Sequence, residues 1–267
     1  SATILQPSKE LHGETFQIAP LSVLVDPRRL VELLGSEGTD LHTSASYIIE
    51  KQLEEADLIL LGKADTLEPA VENALLAQIA ENWPHASILP LSSKTGAGLD
   101  LWLDQALSGT SSGNRLAQVD YDIYAEGEAV LGWLNTTVSL TGHDVPWNSV
   151  AESLLDTLSC RFDSIPAAVG HVKLLMANED QYLIGNLTGK RSSMELRGDA
   201  GISANAKLTL NARVQMSPTE LEQIVIEELA ALSGQALTAH YLAMNCLQPG
   251  RPNPTHRFDR VVDLSIS

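Results

Sequence analysis

Cysteine is nearly absent from this chain of 267 residues: Cys160 and Cys246 stand far apart and form no C-x-x-C spacing. That excludes a disulfide scaffold and a zinc knuckle. Two buried thiols in a reducing cytosol are the expected state, with a single disulfide between them as the alternative. Positive charge is equally scarce. Seventeen Lys and Arg face 34 Asp and Glu, a net charge of −17, of which −9 falls through residue 118 and −8 beyond it, with no acidic tail and no basic stripe. Such a surface repels nucleic acid and anionic membranes, so neither is expected as a partner, and solubility is its plain explanation. No apolar run approaches a membrane span and no signal peptide is visible in these residues; the cytoplasm is the expected setting. The seven histidines form no i, i+4 pair with another ligand on a predicted helix, and the His240–Cys246 spacing of six fits neither a helix face nor a knuckle. No metal site is expected.

What is present is organised around residues 57–94. Leu58-Ile59-Leu60-Leu61 is a short apolar run ending in Gly62-Lys63-Ala64-Asp65, and Ser87-Ile88-Leu89-Pro90-Leu91 is a second, ending in Ser92-Ser93-Lys94-Thr95-Gly96-Ala97-Gly98. Each reads as a buried strand of a parallel sheet. Between them Pro69–Asn82 reads as a helix with Val71, Leu75, Leu76 and Ile79 inward, stopped by Pro84. Both polar motifs then fall at the carboxyl ends of strands, where open α/β sheets bind ligands. Before them, Leu21–Val25 predicts a strand closed by Asp26-Pro27, Arg28–Leu34 a short helix, and Ser44–Ala56 a helix burying Ile48, Ile49, Leu53 and Ala56. After them, Leu99–Leu107 predicts a helix burying Trp102, Leu103 and Ala106.

The motif chemistry fits a guanine base. A fixed carboxylate at Asp65 accepts from a ring N–H and an exocyclic amine together, a charge-assisted two-point contact. Adenine offers an acceptor at that ring position and would be refused. The stem of Lys63 can lie along the base, and the Ser92-Ser93-Lys94 turn offers N–H groups to the base carbonyl. Plainer readings stand beside these: Asp65 as a helix cap, and Ser92-Ser93-Lys94 as an ordinary loop.

The pair resembles the guanine-reading motifs Asn-Lys-x-Asp and Ser-Ala-Lys of P-loop GTPases. With Pro20-Leu21-Ser22-Val23-Leu24-Val25-Asp26-Pro27 and Leu53-Glu54-Glu55-Ala56-Asp57, residues 3–110 are similar to the CobW-like GTPases, the family of the HypB and UreG metal-insertion proteins. The resemblance implies a GTP-binding, GTP-hydrolysing switch that works with magnesium and delivers a metal such as Zn or Co, or a metal cofactor, to a client metalloprotein or cofactor enzyme. On this reading Gly62, Lys63, Asp65, Ser92, Ser93 and Lys94 hold the guanine base of GTP or GDP, no residue here is catalytic, and the transition metal is bound outside this chain. Asp26 is placed near the nucleotide by the resemblance and is equally a strand-ending turn residue. Gly62 departs from the pattern, standing where the family has Asn.

A hydrolase of this class needs G-x-x-x-x-G-K-[ST] to cradle phosphates. The sequence has none; Gly185-Asn186-Leu187-Thr188-Gly189-Lys190 is one residue short and lies in a predicted hairpin. The chain begins at Ser1, and its first strand resembles an interior strand of the family sheet. The expectation is a C-terminal portion of a longer protein, with a naturally truncated relative as the alternative. A non-catalytic interaction module on a GTPase scaffold is the competing function.

The expected architecture is α/β: residues 1–110 as part of a P-loop GTPase parallel sheet with helices, 108–118 as a linker, and 119–267 as a smaller α+β domain, with a ferredoxin-like arrangement as one form of it. Ser108–Asn114, small and polar, predicts a flexible surface connection. Beyond it Val130–Leu140 predicts a strand with a bulge at Gly132, Val172–Met176 and Tyr182–Leu187 a hairpin over Asn178-Glu179-Asp180, and Leu208–Val214 a half-buried strand. Trp147–Arg161 predicts a helix burying Val150, Leu154, Leu155 and Leu158, and Ser217-Pro218-Thr219-Glu220 opens another that buries Leu221, Ile224, Val225 and Leu229. Segment 236–247 reads as a strand, Tyr124–Glu128 as a strand with packed aromatics, and Pro249–Pro254 as an extended arm against this domain.

Overall fold

Three short apolar strands that follow helices, and six longer alternating ones, give the chain two different sheets. The computed structural model describes residues 1–35, 43–108, 112–165, 167–188, 194–233, 237–251 and 253–263. They form two units: Ser1–Gly127 with the described part of Arg251–Ser267, and Glu128–Gly250.

The first unit holds α1 (Leu5–His12), β1 (Ser22–Val25), α2 (Pro27–Leu34), α3 (Thr43–Glu55), β2 (Leu58–Leu61), α4 (Pro69–Asn82), β3 (Ser87–Pro90), α5 (Leu99–Ser108) and α6 (Tyr121–Ala129). Its sheet is parallel, in the order β1-β2-β3, with Val25 opposite Leu61 and Leu61 opposite Pro90. All four residues of β2 are buried because both faces are covered. Ile59 and Leu61 pack with Leu30, Leu53, Leu75 and Ile79, while Leu60 joins Leu89, Leu91 and Trp102 on the other side. β1 pairs only with β2 and so stands at an edge of this sheet.

Four expectations for this unit need correction. Val71 is 47% exposed, while Leu75 and Ile79 of α4 are buried and Leu76 packs partly against the same core. Helix α5 buries no residue fully; Trp102 alone packs on the sheet and Leu103 faces solvent. Residues 121–129 form α6 rather than a strand. The segment read as a flexible connection is pinned where it is described: the Gly113 N–H donates to Asp57 Oδ2 at 2.6 Å, and its carbonyl accepts from Gln6 Nε2 at 2.7 Å. The expected linker therefore falls within the first unit.

The C-terminal arm also differs from expectation. Residues 251 and 253–263 carry no helix or strand and belong with the first unit. Arg251 Nε donates to Asp122 Oδ1 at 2.6 Å, and Val262 N–H to Gln6 Oε1 at 2.7 Å.

The second unit holds β4 (Gly132–Pro146), α7 (Trp147–Asp163), β5 (Val169–Ala177), β6 (Tyr182–Leu187), β7 (Glu195–Asp199), β8 (Ile202–Val214), α8 (Pro218–Ser233) and β9 (Thr238–Leu247). Its six-stranded sheet runs β7-β6-β5-β8-β4-β9, antiparallel throughout. Without the β6–β7 hairpin, the remaining strands follow strand, helix, strand, strand, helix, strand in the chain, and lie last, first, third, second in the sheet. That is the ferredoxin-like arrangement, extended at one edge by the inserted hairpin. Trp147, Leu154, Leu155, Leu158 and Phe162 of α7 and Leu221, Val225 and Leu229 of α8 pack on one face of the sheet. The α8 cap forms as the sequence predicts: Ser217 Oγ donates to Glu220 Oε2 at 2.7 Å, and the Glu220 N–H donates back to Ser217 Oγ at 3.3 Å.

Gly132 is not a bulge. The register irregularities of β4 lie between Thr137 and Val138 and between Thr141 and Val145. A side chain at Gly132 would instead crowd the Met216 carbonyl.

Candidate functional site

The two polar motifs meet because their strands are neighbours in register. Leu61 opposes Pro90, so the residues that follow each strand leave the same end of the sheet side by side. The Leu91 N–H donates to the Leu61 carbonyl at 2.8 Å and the Ala64 N–H returns to the Leu91 carbonyl at 3.2 Å. Gly62 N–H donates to Val25 O at 2.9 Å, tying in the end of β1.

Past Gly62 the chain reverses sharply. Lys63 takes a left-handed conformation, φ 52°, and Ala64–Thr66 form a 3₁₀ turn. Thr66 Oγ1 holds that turn by donating to the Lys63 carbonyl at 2.8 Å. The reversal exposes both Lys63 and Asp65.

Ser92 is the connecting residue. Its side chain is buried, and its Oγ donates to Asp65 Oδ1 at 2.6 Å while accepting from the Thr95 N–H at 3.1 Å. One hydroxyl thereby fixes the carboxylate of one motif to the backbone of the other. The Ser92 N–H is used internally, on the Ala97 carbonyl at 2.9 Å, so it is not open to a ligand. Ser93 and Lys94 sit exposed at the tip of the turn, and among the described residues their N–H groups make no backbone hydrogen bond. Gly98 closes the turn at φ +79°, where a side chain would collide with the Pro90 carbonyl.

Lys63 and Asp26 are also joined, Nζ to Oδ2 at 3.0 Å. Burial pushes the Asp26 carboxyl up, but the Lys63 ammonium and the Arg28 and Arg29 N–H groups outweigh it and hold the group below its ordinary value. Asp26 also caps α2, accepting from Arg28 N–H at 2.9 Å. The turn reading of this residue is met: Asp26 ends β1 at the carboxyl end of the sheet and caps the helix that follows. The resulting rim runs Asp26, Lys63, Asp65, Ser92, Lys94 across all three strands.

The fit of a guanine base can be judged on these contacts. Ser92 occupies one oxygen of Asp65, and an exposed carboxylate on a short turn retains acceptor capacity for a base edge. Asp65 is not buried here, so the refusal of adenine depends on the bound base itself excluding water. Gly62 is tightly seated: a side chain there would meet Leu24 Cδ1 at 3.2 Å and the Val25 carbonyl at 3.3 Å. A side chain at this position would need the exposed Leu24 side chain to give by a few tenths of an ångström. Gly185 of the rejected phosphate-loop candidate lies in β6, and residues 189–193 fall outside the described residues. Among the described residues there is no group of three or more His, Cys, Asp or Glu side chains able to hold a metal, and no helix is long and apolar enough to cross a membrane.

Sequence reasoning did not single out Asp57. It begins the organising stretch, and its carboxylate accepts from the N–H groups of Leu21 at 2.8 Å and Gly113 at 2.6 Å. Its partners lie far away in the chain, and no local signal marks it.

No protein-family model and no curated protein sequence matches the chain. Among solved structures it is similar to the Zn(II)-bound YjiA GTPase from E. coli, at 16% identity over 86% of this chain and 66% of that one, with a TM-score of 0.29. A Zn(II)-bound triple mutant of YjiA GTPase matches at 15% identity over the same shares, with a TM-score of 0.30. The chain thus spans about two thirds of the length of these structures. At this level of superposition the functional reading rests on the site itself.

Proposed function

We propose that the first unit binds a guanine nucleotide by its base, with Asp65 as the base-reading carboxylate and Lys63 and Ser92-Ser93-Lys94 as its frame. The observation that carries this reading is the Ser92–Asp65 hydrogen bond at 2.6 Å, which locks the two motifs into one site at the carboxyl end of a parallel sheet. A helix-capping Asp65 is not supported, because the residue before α4 is Glu68 and Asp65 lies in the preceding 3₁₀ turn. On the resemblance stated above, the protein acts as a CobW-like GTP-dependent switch in metal or metal-cofactor delivery to a client metalloprotein. GTP or GDP with magnesium is then its cofactor, zinc or cobalt its cargo, and the cytoplasm its setting. Hydrolysis would need phosphate-binding residues that this sequence does not contain.

Isothermal calorimetry with GTP, GDP and ATP, each with magnesium, tests the base-reading step. Guanine nucleotides should bind in preference to ATP. Replacing Asp65 with Ala should remove the preference, since each hydrogen bond to a charged group contributes about 1.5–3 kcal/mol. Equal binding of GTP and ATP, or an Asp65→Ala variant that keeps the preference, refutes it.

One observation favours a second reading. The tight seat of Gly62, with no phosphate-loop motif in the sequence, suits a scaffold that no longer turns nucleotide over and acts as an interaction module. Absence of any nucleotide binding in the same titrations would select it.

A further inference from the structure

The helical layer and the open face of the second unit carry opposite charge. Helices α7 and α8 bring Glu152, Asp156, Asp163, Glu220, Glu227 and Glu228 to their outer surfaces against the single cation Arg161. Every other described Lys or Arg between Glu128 and Gly250 is on the opposite side of the sheet. The register and the alternating burial place them there. Leu134, Leu174, Leu208 and Leu210 face the helices, so Lys173, Lys207 and Arg213 face away, and Arg197 shares their face opposite Ile184. On this side β5, β8 and β9 bear no Asp or Glu; β4 carries the exposed Asp144 at its irregular end, and Glu195 shares the face of Arg197 on β7, so the cations still outnumber the acids. In a chain of net charge −17 such a local excess of cations is a built feature.

The face is also pre-organised. Arg213 stacks on the Trp133 ring at 3.9 Å, and Asn211 links His171, at 3.0 Å, to Asn135. Asn245 stands beside Asn135 in the next strand, so amides line up in a row that ends at Lys173. Lys173, Lys207 and Asn245 are exposed.

From this charge separation we propose that the open face docks an acidic, extended segment of a partner protein. Its carboxylates would meet Lys173, Lys207 and Arg213, and its backbone would meet the amide row. A single-stranded nucleic acid fits less well. Such ligands stack their bases on exposed aromatic platforms. Here the Trp133 face is taken by Arg213, the middle of the face is Thr137, Thr209 and Leu175, and Tyr182 on β6 is left exposed.

The docking proposal is independent of nucleotide binding. Its probe is a fluorescein-labelled 15-residue oligo-glutamate, read by fluorescence anisotropy on the full chain at low and at physiological salt. The peptide should bind at low salt and weaken as salt rises. Lys173→Glu should weaken it at least ~fivefold, and adding Lys207→Glu should weaken it further. Arg161→Glu changes net charge by the same amount as Lys173→Glu but lies on the helical side, and should change binding less than ~twofold. No binding of the peptide to the wild-type chain overturns the proposal, as does an equal effect of the Lys173 and Arg161 reversals. Tighter binding of a 12-nucleotide single strand than of the peptide, lost in the Lys173 variant, would make the face a nucleic-acid site instead.

Discussion

Removing the Asp57 carboxylate should loosen the first unit at a place remote from the candidate base site. Asp57→Ala strips the acceptor from two partly buried donors, Leu21 N–H at 2.8 Å and Gly113 N–H at 2.6 Å. The two contacts to Asn114, at 3.3 Å and exposed, add little. A buried donor left without a partner costs about 1–3 kcal/mol, so the pair sums to about 2–4 kcal/mol after allowing for partial exposure. A second effect has the same sign. Lys9 is buried, burial pushes its ammonium down, and Asp57 is the first of the charges that oppose that push. Hydrogen exchange read by mass spectrometry on peptides covering 19–25 and 112–118 gives the local opening free energy directly. Exchange there should speed up by about 30- to 700-fold, at about 1.4 kcal/mol per tenfold, while peptides from β8 stay unchanged. Less than threefold acceleration in both peptides would refute the hub assigned to Asp57.

Two further outcomes follow from the same contacts. Gly98→Ala forces a side chain into the left-handed region and against the Pro90 carbonyl, which should cost about 1–3 kcal/mol and abolish base binding with it; denaturant midpoints that match wild type would contradict the turn geometry. Burial lowers the pKa of His171 below the ordinary 6.5, with Lys173 and Arg213 adding to that and Asn211 opposing it. The unfolded chain then binds more protons than the folded one, so this term costs stability as the pH falls below about 6.5 and nothing well above it. His171→Gln should reduce the fall in Tm between pH 7.5 and pH 5.5, and an identical fall in the variant would dispose of the argument.

The parts of the fold that the sequence showed were those with a strong local signal. Leu58–Leu61 is apolar at every position because both faces are covered, and Leu208–Val214 alternates because one face is open. The capping box at Ser217 needs only four residues to declare itself. What stayed hidden depended on distant partners. The small polar residues at 112–114 look like a tether, yet Asp57 and Gln6 hold them in place. Helix α5 has an apolar stripe in its sequence, but Trp102 is its residue that packs on the sheet. The cations of the second unit are scattered along the chain and form a face only once four strands are set in register.

For the candidate site, the residue types and spacings of 62–65 and 92–94 were legible, as was their common position at strand ends. The Ser92 hydroxyl as the bond between them was not, since nothing in a Ser-Ser-Lys turn says which serine is buried. Nor did the sequence say that Asp65 is exposed, or that Leu24 and the Val25 carbonyl approach Gly62 closely.

Base exchange at Asp65 is the most direct test of the central claim. Xanthine carries a carbonyl oxygen where guanine carries its exocyclic amine, so an amide in place of the carboxylate should suit xanthine and not guanine. Calorimetric titration of Asp65→Asn with GDP and with xanthosine diphosphate should show guanine affinity falling by at least about tenfold and xanthine affinity rising by a comparable factor. If the variant keeps the wild-type order of preference, Asp65 does not read the base and the first unit is not a guanine-nucleotide site.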